Sequence, residues 1–121
     1  MKRLLPLVLV MLMVAGCSII SPPKYHETEY ANYIEIAALA SESTCTVEER
    51  HRFVQLANRA SLYSAHLPNN ELVAKSADNL WESLVELEQA KSVTPVFCQL
   101  KLSVVKELAT TLADAAGGKP Q

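Results

Sequence analysis

The stretch 46-TVEERHRFVQLANRASLYSAHL-67 decides the fold class. It opens with Thr46-Val47-Glu48-Glu49, a Thr-x-x-Glu capping box in which the Thr hydroxyl and the Glu carboxylate satisfy amides that a helix start leaves unpaired. Phe53, Leu56, Ala57, Ala60, Tyr63, Ser64 and Leu67 then recur at steps of three and four, the single stripe of an amphipathic helix. Pro68-Asn69-Asn70 breaks the pattern, and either Asn is suited to cap a third helix beginning at Glu71.

That helix, with Glu71 near its positive end, carries Val73, Ala77, Leu80, Trp81, Leu84 and Leu87 on its stripe. Ser92 to Pro95 interrupts, and Thr94 followed by Pro95 reads as an N-cap with a first-turn proline. The last helix is expected to bury Phe97, Leu100, Val104, Leu108, Thr111 and Leu112 before Gly117-Gly118 stops it. Upstream, Glu27 to Glu42 reads as a helix with Tyr30, Tyr33, Ile34, Ala37, Ala38 and Ser41 facing inward, ending in Ser43-Thr44-Cys45. Four helices with one stripe each and short connections predict an all-α, up-down-up-down four-helix bundle over residues 25–118, followed by a tail at 119–121.

The N-terminus has a different character. Lys2 and Arg3 precede an apolar run from Leu4 to Val14, interrupted only by Pro6, which is the layout of a signal peptide. The run is about half of the roughly 20 residues that a helix needs to span hydrocarbon. Val14-Ala15-Gly16-Cys17 closes it and resembles the lipobox of bacterial lipoproteins, in which small residues enter the signal peptidase and the cysteine receives diacylglycerol. This resemblance covers residues 1–17 and implies a signal peptide over 1–16, acylation at Cys17, and a lipidated N-terminus and tether over 17–24.

In Gram-negative members of that class, Asp after the cysteine favours inner-membrane retention; Ser18 stands there, so the resemblance implies the outer membrane, facing the periplasm. Acyl chains add about 0.8 kcal/mol per buried methylene, and three of them make attachment effectively permanent. The tether, Ser18-Ile19-Ile20-Ser21-Pro22-Pro23-Lys24, reaches at most about 25 Å, which keeps the domain near the bilayer. With Cys17 used for lipid, Cys45 and Cys98 remain as an even pair in an oxidising compartment. A disulfide between them is the expectation, two buried reduced thiols the alternative. The bundle topology favours the bond, since it places the end of the first helix and the start of the fourth at the same end.

The mature part keeps nine of eleven Lys and Arg residues against thirteen Asp and Glu, a formal charge of −4 that disfavours nucleic acid as a partner. His51 and His66 lie on one helix about 22 Å apart, too far to share an ion, and His26 stands apart from both, so no metal or cofactor is expected. No Gly-x-Ser-x-Gly, His-Glu-x-x-His or phosphate-cradling glycine loop occurs, and no catalytic residue is assigned. Asp78, Glu82 and Glu86 form a like-charge row stepping by four. It is expected to be compensated by Arg59 level with Asp78 and Arg52 level with Glu86, or else to serve as a docking strip for a basic partner. Tyr25 is the aromatic best placed to reach the headgroups, while Tyr30, Tyr33 and Trp81 read as packing residues.

The leading functional expectation is a non-catalytic lipoprotein whose bundle binds another envelope protein. Its architecture is similar to helical pilotins, lipoproteins that carry a secretin subunit to the outer membrane; the likeness lies in lipobox, helical domain and disulfide. A second expectation is a phage- or prophage-encoded envelope lipoprotein acting in lysis or superinfection exclusion, and a third is an envelope enzyme or small-ligand binder. The bundle, about 30 Å long, is too short to bridge the periplasm as a spanin must.

Overall fold

The computed structural model describes residues 23–120, which form an all-α bundle: α1 (Glu27–Glu42), α2 (Val47–His66), α3 (Glu71–Gln89) and α4 (Pro95–Gly117). The expected signal peptide, Cys17 and the tether as far as Pro22 lie outside the described residues, as does Gln121. Each helix packs on its chain neighbours, and α1 closes the ring against α4. The most extensive faces are α1 with α4 and α2 with α3. None of these helices is long and apolar enough to cross a membrane.

The local signals at the helix starts act as their chemistry dictates. The Thr46 hydroxyl accepts from the Glu49 amide at 3.2 Å while the Glu49 carboxylate accepts from the Thr46 amide at 3.4 Å, the reciprocal capping box. The Thr44 hydroxyl also donates to Glu49 at 2.8 Å; that bond, reinforced by the Thr46 contacts, holds the Glu49 carboxyl below the usual carboxylate range. At α4, Thr94 accepts from the Phe97 amide at 3.1 Å and Pro95 fills a first-turn position whose amide would have had no helical partner.

Cys45 and Cys98 are bonded to each other, with Cα atoms 6.3 Å apart. Cys45 sits in the left-handed region at φ 64°, a conformation costing roughly 1 kcal/mol for a residue with a side chain. The Ser43 hydroxyl, accepting from the Cys45 amide at 3.1 Å, and the bond to Cys98 hold it there. The up-down-up-down order is fixed by contacts at the two ends. At one end Cys45 meets Cys98, and Arg50 at the start of α2 donates to the Leu87 carbonyl at the end of α3. At the other, Glu29 near the start of α1 meets Ser64 late in α2, Asn70 before α3 and Lys119 after α4.

Inside, Phe53, Leu56, Ala57 and Ala60 of α2 and Ala77, Leu80, Leu84 and Leu87 of α3 are buried on the expected stripes, with Tyr63, Leu67, Val73 and Trp81 half-buried beside them. The other two helices are turned from the expected phase. α1 buries Glu29, Asn32, Tyr33, Ile36 and Ala40 and leaves Ile34, Ala38 and Ser41 exposed. α4 buries Cys98, Leu102, Val105, Ala109, Leu112, Ala113 and Ala116, leaving Phe97, Leu100, Val104 and Thr111 exposed and Leu108 half-buried. The physical reason is the α1–α4 contact: Ala109, Ala113 and Ala116 on the buried face of α4 let the two backbones approach, and the row Phe97, Leu100 and Val104 turns outward. α4 stops at the expected glycine pair, with Gly118 as its cap, and this contact also engages Gly117. A Cβ there would come within 3.1 Å of the Tyr30 ring, and Gly118, which caps α4, is right-handed at φ −82°.

The expected tail is also part of the packed unit. Lys119 is buried and the Pro120 carbonyl accepts from the Tyr25 amide at 3.0 Å, stitching the end of the chain to its entry into α1.

Candidate interaction surface

Two arrangements stand out once the helices are placed. One is an apolar strip on the outside of α4, the other a buried polar cluster at the end where the described residues begin.

With about 100° per residue, Leu100 lies roughly 200° around α4 from Cys98, so both cannot face the core. The disulfide fixes Cys98 inward and thereby fixes Leu100 outward. Val96, Phe97 and Val104 share its side, and the four residues are between 47% and 70% exposed. Pro95, Val96, Gln99, Leu100 and Ser103 line a shallow groove of about 360 Å³ along this strip. Its continuation toward the other end, past Ser103, Lys106, Glu107, Thr110 and Thr111, is polar. Single exposed hydrophobes are ordinary on protein surfaces; a contiguous row on one rigid helix face is a feature of interaction sites. This row sits in the half of α4 that carries the disulfide, at the end remote from Pro23.

At the opposite end, the fully buried Glu29 carboxylate accepts from the Ser64 hydroxyl at 2.7 Å and from Asn70 Nδ2 at 2.6 Å, while its other oxygen accepts from Lys119 Nζ. Lys119 donates also to Asn70 Oδ1, and Asn70 Nδ2 to the Ser64 carbonyl at 3.0 Å. Because the single Ser64 hydroxyl proton goes to Glu29, the Tyr33 phenol donates to Ser64. Burial pushes the Tyr33 phenol up to about 12, and the Glu29 charge adds to it. Asn70 is the residue before α3, as expected, yet its side chain makes no capping bond because the cluster claims it. Every buried polar group in the cluster has a partner, and each helix or its flanking residue supplies one. The arrangement fixes the register of that end of the bundle.

The acidic row of α3 is not compensated as the sequence suggested. Arg52 and Arg59 turn to Glu35 of α1, at 3.8 and 3.0 Å, and Glu86 faces Lys101 of α4 at 3.8 Å. The reason is the side of α2 on which the arginines fall. They face α1 rather than α3, a distinction that axial level alone does not make. Exposed pairs of this kind contribute little to stability. His51 contacts Glu88 at 3.3 Å and Gln55 at 3.2 Å, and His66 contacts the Leu62 carbonyl at 2.8 Å. Among the described residues no group of His, Cys, Asp or Glu is placed to hold a metal ion. Tyr25 is half-buried against Tyr30, their ring centroids 6.4 Å apart.

The buried cluster had no signal in the sequence, because the partners of Glu29 lie 35 to 90 positions away. The outer strip did have one: α4 carries apolar residues on more than one helical face. Comparison of the chain with protein-family models, curated proteins and solved structures yields no match.

Proposed function

We propose that this chain is a non-catalytic outer-membrane lipoprotein, acylated at Cys17 and facing the periplasm. Its disulfide-stapled bundle binds an apolar segment of another envelope protein along the outer face of α4, in a pilotin-like or assembly-factor role. The observation that carries the reading is the row Val96, Phe97, Leu100 and Val104, left exposed by a helix whose opposite face is already satisfied by the core. A partner helix or extended segment is the occupant such a strip fits, because apolar anchors repeating along a helix match a complementary row. The lipobox supports the anchor, and the short tether together with the up-down topology would present the strip on the half of the bundle away from the bilayer.

Two variants test the two parts. Cys17→Ser should abolish incorporation of a palmitate analogue; equal labelling of both proteins would remove the lipoprotein assignment. Leu100→Asp combined with Val104→Asp should leave the melting temperature within a few degrees of wild type, since both side chains already meet solvent. The same variant should lose an envelope protein that co-purifies with the wild type from crosslinked membranes. Retention of that protein would refute α4 as the binding face.

A further inference from the structure

The end of the bundle that receives the tether holds an exposed apolar feature of its own. Leu72, in the first turn of α3, is 84% exposed, more than any other large hydrophobic residue among those described. It borders a groove of about 310 Å³ whose exposed walls are mostly apolar, with Pro23, Leu72, Val73 and Ala115 beside Asn69, Asn70, Glu71 and Lys119. Pro23 is where the described chain begins, so the polypeptide enters the domain at the rim of this groove. The cluster of Glu29, Ser64, Asn70 and Lys119 directly behind it makes the rim rigid.

We propose that this end is a membrane-contact face, in which Leu72 enters the headgroup region of a phosphatidylethanolamine-rich leaflet while the acyl chains on Cys17 hold the protein there. The contact rests on the lipoprotein reading and extends it. Six residue steps separate Cys17 from Pro23, a span of at most about 20 Å, so the groove is confined to the neighbourhood of the bilayer. An exposed leucine held that close exchanges water for lipid with little further loss of translational freedom, because the anchor has already localised it.

The charges at this end do not favour an anionic lipid. Lys24 and Lys75 are exposed, but so are Glu27, Glu71 and Asp114, and the one further lysine, Lys119, is bound to Glu29. With two exposed cations against three exposed anions, this end is slightly negative and gains nothing from an anionic surface; the contact is apolar, suited to a zwitterionic phosphoethanolamine layer. Tyr25 contributes less than its position in the sequence implies, since its ring lies against Tyr30 and its amide bonds the Pro120 carbonyl.

The test uses the full lipidated protein carrying Leu72→Cys, labelled with an environment-sensitive nitrobenzoxadiazole and reconstituted into phosphatidylethanolamine–phosphatidylglycerol vesicles. Val47→Cys, an exposed position at the disulfide end, serves as the reference. The label at position 72 should emit at shorter wavelength and be quenched at least twofold more by shallow doxyl lipids than the label at 47. The contrast should be unchanged when the phosphatidylglycerol fraction or the salt concentration is varied. Equal, water-like emission at both positions in protein that floats with the vesicles would overturn the contact face while leaving the anchor intact. Emission shifted at 72 without lipid quenching would assign the face to a second copy and also overturn it. Protein that does not float would overturn the lipoprotein reading and the contact face together.

Discussion

Lys119→Met is the substitution whose cost the structure specifies most closely. The Glu29 carboxylate is fully buried, with Ser64 and Asn70 donating to one oxygen and Lys119 to the other. Removing the ammonium leaves a buried charge with one oxygen unpaired and Asn70 Oδ1 without its donor. Breaking a buried pair on one side typically costs about 3 to 5 kcal/mol, against a total stability of about 5 to 15 kcal/mol for a domain. At roughly 4 to 8 °C per kcal/mol for a domain of this size, the melting temperature should fall by more than about 10 °C. Glu29→Gln added to Lys119→Met removes the stranded charge and keeps an acceptor for Ser64 and Asn70, so the double variant should recover part of the loss. A double-mutant cycle should show a coupling of about 2 kcal/mol. Urea denaturation followed by circular dichroism at neutral pH measures all four proteins. A loss below about 1 kcal/mol for Lys119→Met would refute the reasoning, since it would mean that the segment after α4 peels away and lets water reach Glu29.

The same geometry sets three further outcomes. Replacing Cys45 or Cys98 with Ser opens a loop with a sequence separation of 53, which the chain-entropy model values at roughly 4 kcal/mol; denaturation midpoints with and without reductant check it, and coincident curves would contradict it. In a spectrophotometric titration, the Tyr33 phenol should resist ionisation until about pH 12. Its native value lies above that of the unfolded chain, so the stability it carries is fully present below about pH 10 and lost as pH rises from there through about 12; ionisation of all four tyrosines together near pH 10 in folded protein would contradict this. Leu80→Ala, at a fully buried site, should cost about 2 to 5 kcal/mol, whereas Leu100→Ala should cost less than about 0.5 kcal/mol; equal losses would return Leu100 to the core.

Where the sequence was informative, the signal was local. The capping box at Thr46, the Thr94-Pro95 start and the stripes of α2 and α3 depend on residues within a few turns of one another, and the helices form where those signals place them. The facing of α1 and α4 was not legible for a specific reason. On α4, Phe97, Leu100 and Val104 recur at helical spacing as well as Leu102, Val105 and Ala109 do, and bulk argues for the wrong row. The choice is made by close packing against α1, which rewards alanine, and by Cys98, which the disulfide turns inward. On α1 the inward face begins with Glu29 and Asn32, polar residues that no hydrophobic pattern selects. Glu29 is tolerated inside only because Lys119 arrives from 90 positions away, a pairing that exists only after the helices have packed. The charges were misdirected for another reason: Arg52 and Arg59 fall on the α1 side of α2, which the expected axial level could not reveal.

The most direct test of the binding face is photocrosslinking in intact cells with benzoylphenylalanine placed at Leu100 of the whole chain, and at Leu62 of α2 as an exposed apolar control. A binding face on α4 predicts a discrete adduct at position 100, identified by mass spectrometry as an envelope protein, absent at position 62 and lost when Val104→Asp is added. The same adducts from both positions, or adducts at 100 only to other copies of this chain, would contradict it.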